Sequence, residues 1–129
     1  MFKRDRIAII PARGGSKRIP RKNILEFDGF PIISYSIKAA INTSLFDTVM
    51  VSTDDHEIAD IAISHGAVVP FIRSPKNSDD NSNIPDVCIE VLRCFKDQDV
   101  EYDTFCCILP TSPLINTERI KQAFVKFNT

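Results

Sequence analysis

Short apolar runs, each followed by a polar loop and then by a stretch of helical periodicity, constrain the fold of this chain more than any other feature. The runs are residues 6–11 (RIAIIP), Thr48 to Ser52, Ala67 to Ile72 and Thr104 to Leu109. After Pro31, which can open a helix, Ile33, Ile37, Ala40 and Ile41 recur at helical spacing. Asp54 with Glu57 has capping-box spacing and precedes Ile58, Ile61 and Ala62, a stretch that stops at Gly66. Pro85 can open a third helix with Val87, Val91, Leu92 and Phe95 inward. Thr117 is expected to cap a last one bearing Ile120, Ala123, Phe124 and Phe127. Strands alternating with amphipathic helices give βαβ units, hence an α/β fold with a mostly parallel sheet covered on both faces. Pro70 weakens the third run and suggests an edge or an early stop.

A ligand in such a sheet sits in the crevice at the carboxyl ends of the strands. That rule places residues 11–24, 52–56, 72–83 and 110–116 on one rim. The first of these loops is the most telling. Between Arg13 and Lys22 it holds Arg13, Lys17, Arg18, Arg21 and Lys22 and no acidic residue. Gly14 and Gly15 let backbone approach a ligand and aim successive N–H groups at an anion. A polyphosphate needs both features, with arginine gripping oxygens in a fork and lysine acting as a point charge. The loop is neither a P-loop nor a dinucleotide fingerprint, because G-x-x-x-x-G-K-[ST] and G-x-G-x-x-G are both absent.

Composition narrows the partners. At 129 residues the chain fits one domain, 1–129. Its net charge of −1 gives no global field toward nucleic acid or an anionic membrane, so an anion site has to come from local clustering. No apolar run approaches the ~20 residues that span a bilayer, and Ile7 to Ile10 is too short for the apolar region of a signal peptide. Cys88, Cys94, Cys106 and Cys107 show no C-x-x-C spacing, which suggests neither zinc nor a disulfide framework, and a reducing cytoplasm is the expected home. Cys106 and Cys107 are expected to fill a buried strand, and His56 and His65 to lie on the surface.

The segment IAIIPARGGSKRIPRKN, together with VSTDD and PTSPL, resembles the acylneuraminate cytidylyltransferase family. The resemblance runs through the whole chain. It implies the nucleotidyltransferase variant of a Rossmann-like αβα sandwich, and a reaction in which CTP and a nonulosonic acid sugar give the CMP-sugar and pyrophosphate with Mg2+. It further implies that Ala12 and Arg13 approach base and phosphates, with Gly14 in the phosphate loop. Lys22 and Asn23 would hold the triphosphate, Arg73 would lie at the cytosine and Asn83 near the nucleotide. Arg13 and Lys22 are the residues expected to neutralise charge as pyrophosphate leaves.

The stretch CCILPTSPLI, with Leu109 and Ile115 where many sialic acid members carry glutamine and arginine, leans toward the pseudaminic acid branch. N-acetylneuraminic acid is the next candidate, followed by legionaminate and 3-deoxy-manno-octulosonate. Family members run to about twice this length, so the sheet is expected to be incomplete at the C-terminus, with an unpaired edge and an exposed apolar patch. Metal ligands and the homodimer contacts of the full-length protein are expected beyond residue 129. A non-catalytic nucleotide-binding fragment is the competing reading from another class. RNA binding ranks last, because no aromatic platform interleaves the basic residues. For Asp54 and Asp55, helix capping by Asp54 is the stronger reading than a metal role.

Overall fold

The computed structural model describes residues 2–13, 22–74, 83–110 and 116–127, with Lys22 and Phe127 in backbone only. Gly14, Gly15, Lys17, Arg18, Arg21 and Ile115 of the sequence reading lie outside the described residues, as do the side chains of Lys22 and Phe127. The elements are β1 (Phe2–Pro11), a short 3-10 helix (Lys22–Ile24), β2 (Glu26–Phe27), β3 (Phe30–Pro31), α1 (Ile32–Asn42), β4 (Thr48–Ser52), α2 (His56–Ser64), α3 (Ile84–Asp97), β5 (Val100–Cys107) and α4 (Thr117–Phe127). β1 is central and runs parallel to both neighbours, in the order β4-β1-β5. This is the α/β sandwich expected from the alternation.

A strand buried on both faces has to be apolar at consecutive positions. Ile7, Ala8, Ile9 and Ile10 meet that requirement and are all fully buried. Ala8 and Ile10 turn toward α1, α2 and α4, packing with Ile33, Ile37, Ile58, Ala62 and Ile120. Ile7 and Ile9 turn the other way, joining Met50 and the α3 residues Cys88, Val91 and Phe95. Each such isoleucine contributes roughly 1.5–3 kcal/mol through apolar burial, so truncating one to alanine would damage the layer it faces.

Several local expectations need correction. The third apolar run forms no extended strand. Its contact with β4 is one parallel bridge between Met50 and Val68, made by Val68 N to Val49 O at 2.9 Å and Val51 N to Val68 O at 3.1 Å. Pro70 has no N–H to continue the ladder. The helix cap is Asp55 rather than Asp54: its carboxylate accepts from the N–H groups of Glu57 and Ile58. At α4 the cap is Asn116, whose Oδ1 accepts from Arg119 N at 2.9 Å. Thr117 is instead the first helical residue and donates its hydroxyl to Ala39 O at 3.2 Å, docking α4 on α1. Cys106 and Cys107 are half-buried rather than buried, since β5 has β1 on one side and no strand on the other among the described residues. Phe105 and Leu109 are exposed there, at 48% and 51%. Gly66 does end its helix, with a positive φ of 101°.

Candidate functional site

The carboxyl ends of β1 and β4 lie side by side, and backbone bonds tie together the residues that leave them. Ala12 N donates to Ser52 O at 2.8 Å, and Arg73 N donates to Thr53 O at 2.8 Å. The chain after β1 therefore leaves beside β4, and the chain after the Val68 bridge returns to β4 from its other side. Ala12, Ser52 and Thr53 are fully or almost fully buried, which makes this corner a closely packed floor.

Arg73 stands on that floor. It is only 5% exposed, and its Nε donates to Ser52 Oγ at 3.1 Å while Nη2 donates to Ser52 O at 2.6 Å. Burial pushes the guanidinium pKa down from its ordinary value; the carboxylates of Asp54 and Glu90 oppose that, and the Arg13 charge adds to it. Arg73 thus has Arg13 as a cationic neighbour and Asp54 and Glu90 as acidic ones.

Asn23 forms the second anchor. The 3-10 helix packs against α1 and α2 and holds Asn23 at 2% exposure. Its Nδ2 donates to Arg13 O at 2.9 Å, and its Oδ1 has no hydrogen-bond partner among the described residues. A buried unpaired carbonyl costs about 1–3 kcal/mol, so it marks a place where a donor is wanted.

Of the residues picked out from sequence, Ala12, Arg13, Asn23 and Arg73 are brought together at this rim. Asn83 is the exposed N-cap of α3, where its Oδ1 accepts from Asp86 N at 2.9 Å. Gly14 and the Lys22 side chain lie outside the described residues. Sequence reasoning did not single out Ser52, although it sits in the VSTDD motif. It also passed over Glu90, whose only signal is its place one turn beyond inward-facing Val87. Glu90 accepts from Ser74 N at 3.0 Å and from Ser74 Oγ at 2.5 Å.

Beneath the corner, the Cys88 and Cys107 thiols meet across α3 and β5. Their mutual hydrogen bond, with Arg73 nearby, holds Cys88 below the usual thiol value, whereas the same bond and burial push Cys107 up. Among the described residues no three His, Cys, Asp or Glu side chains group as a metal site requires. No helix of the described residues is long and apolar enough to cross a membrane.

The chain is similar to known proteins in sequence and in fold. Residues 7–129 match the family model described as cytidylyltransferase. The chain is 48% identical over 121 residues to the pseudaminic acid cytidylyltransferase of Campylobacter jejuni, covering 94% of this chain and 52% of that protein. It is 41% identical over 117 residues to the CMP-N,N'-diacetyllegionaminic acid synthase of Legionella pneumophila, covering 91% and 50% respectively. In three dimensions it superposes on a CMP:2-keto-3-deoxy-manno-octonic acid synthetase solved with CTP, at a TM-score of 0.79 and 24% identity, covering 97% of this chain and 48% of the other. That last likeness speaks to the fold alone. The chain spans about half the length of these relatives.

Proposed function

The chain belongs to the cytidylyltransferase family, and from that premise we propose that it is the CTP-binding half of an enzyme that joins CMP to a nonulosonic acid. The observation that carries the reading is the shared corner of Arg13, Asn23 and Arg73 at the carboxyl ends of β1 and β4. Pseudaminic acid is the proposed acceptor, supported by the likeness to the Campylobacter jejuni protein and by the CCILPTSPLI stretch. N-acetylneuraminic acid stands next, ahead of legionaminate and 3-deoxy-manno-octulosonate.

In the proposed reaction the anomeric hydroxyl of the sugar attacks the α-phosphorus of CTP. The bond from that phosphorus to the bridging oxygen breaks, and pyrophosphate leaves. Little covalent chemistry falls to the protein, so its work is positioning and charge stabilisation. Arg13 and Lys22 would neutralise the triphosphate as charge moves onto the leaving group. Ala12 would bring backbone close to the nucleotide, with Gly14 in the phosphate loop. Asn23 would fix that loop, Arg73 would face the cytosine, and Asn83 would border the nucleotide.

The described residues do not by themselves build a Mg2+ site. Mg2+ is proposed as the counterion of the triphosphate, with its protein ligands outside the described residues. A cytoplasmic setting and a homodimer of the full-length protein complete the proposal.

Titration of the chain with CTP against ATP, GTP and UTP tests the nucleotide reading. Selective CTP binding is expected, and equal binding of all four would sink it. Transfer is proposed for the whole protein, and release of pyrophosphate in the presence of pseudaminic acid tests that step.

A further inference from the structure

We propose that Glu90 is a positioning residue that braces Arg73 from the α3 side of the corner. The inference rests on the reading of Arg73 as a nucleotide-facing residue. Glu90 lies in the interior of α3 and is half-buried, and both of its carboxylate oxygens are engaged by one residue. Oε1 accepts from Ser74 N at 3.0 Å and Oε2 accepts from Ser74 Oγ at 2.5 Å.

Ser74 directly follows Arg73, and the two residues lie outside any helix or strand. Irregular backbone of this kind holds its place through the bonds made at each end. On one side Arg73 N is bonded to Thr53 O and its guanidinium to Ser52. On the other, the Glu90 carboxylate clamps Ser74 by both its N–H and its O–H. Hydrogen bonds to an ionised acceptor are stronger than neutral ones, so the clamp stiffens the peptide that carries Arg73. The same carboxylate attracts the Arg73 guanidinium, offsetting repulsion from Arg13.

A clamp on one side and a β4 floor on the other fix both ends of Arg73, its Cα through Ser74 and its head through Ser52. Binding a nucleotide then requires no further ordering of this segment, and ordering is a cost that affinity otherwise bears. Glutamine at position 90 can accept from Ser74 N and donate to Ser74 Oγ, so it preserves the clamp without the charge. Alanine removes it.

The test pairs CTP titration with amide hydrogen exchange on the wild-type chain, Glu90→Ala and Glu90→Gln. Glu90→Ala is expected to speed exchange at Arg73 and Ser74, to leave β1 and β4 protected, and to weaken CTP about tenfold. Glu90→Gln is expected to stay within about threefold of wild type, rescue that a purely electrostatic role would not give. Unchanged exchange in Glu90→Ala overturns the brace. Faster exchange with unchanged CTP affinity overturns its service to Arg73. A wild-type chain that binds no CTP overturns the nucleotide reading instead, and the brace is then decided by the exchange rates, which need no nucleotide.

Discussion

The side-chain amide of Asn23 donates to the carbonyl oxygen of Arg13, ten positions before it, at 2.9 Å. The same side chain carries a buried Oδ1 without a partner among the described residues. These two facts pull stability in opposite directions. Removing the side chain forfeits one bond but also removes an unpaired acceptor. Asn23→Ala should therefore change the unfolding free energy by less than about 1.5 kcal/mol. CTP affinity should fall at least about tenfold, because the Arg13 backbone loses its tether. Chemical denaturation beside CTP titration reads both. A large stability loss with intact binding would make Asn23 a packing residue only.

Arg73 makes its contacts with Ser52 through a planar fork that lysine cannot copy. Arg73→Lys keeps the charge yet places a compact ammonium at a nearly buried position. It should destabilise the fold by about 1–3 kcal/mol and weaken CTP about tenfold or more. Thermal unfolding and nucleotide titration check this. Wild-type affinity in the lysine variant would show that charge alone suffices.

The adjacent acids after β4 divide their work. Asp55 caps α2 through its bonds to Glu57 N and Ile58 N, whereas Asp54 is an acidic neighbour of Arg73. Asp55→Ala should cost about 1 kcal/mol of stability and leave CTP affinity unchanged. Asp54→Asn should do the reverse, altering CTP affinity with little change in stability. If the two variants behave alike, the division is wrong.

How much of this was legible follows from what each residue depends on. The run Thr48 to Ser52 predicts a strand with its observed bounds, because a short apolar run between polar segments has few other uses. Ala67 to Ile72 has the same look, but Pro70 lacks the N–H a ladder needs, so only the Val68 bridge forms. The β2–β3 hairpin was missed although Asp28-Gly29 is a strong turn signal, and both residues take positive φ, 53° and 87°. Choosing between Asp54 and Asp55 as the cap turned on backbone angles: Asp55 is extended at φ −117°, ψ 121°, as an N-cap is. Arg13 and Asn23 follow from motif order, which records sequence neighbours well, whereas Arg73 follows from the family resemblance alone. Ser52 and Glu90 matter through contacts across 21 and 16 positions, and periodicity carries no such information.

At the opposite end of the sheet, the Asp47 carboxylate accepts from Asp5 N at 2.7 Å and Arg6 N at 3.1 Å, pinning the loop before β4 to the central strand. The backbone bonds from Arg6 and then Asp5 hold this carboxyl below its ordinary value of 3.8, with Arg4 and Arg6 adding attraction. A depressed folded-state pKa means the unfolded chain binds the proton more readily. The contribution is therefore complete above the ordinary carboxylate value and is lost as pH falls through the lower folded-state value. Asp47→Asn should be less stable than wild type at pH 7, by a modest amount because the carboxylate is exposed to solvent. The gap should narrow as pH falls below the ordinary value of 3.8. Denaturation midpoints of both proteins across that range decide the matter. A gap that stays constant into acid would mean the bonds, rather than the charge, set the difference.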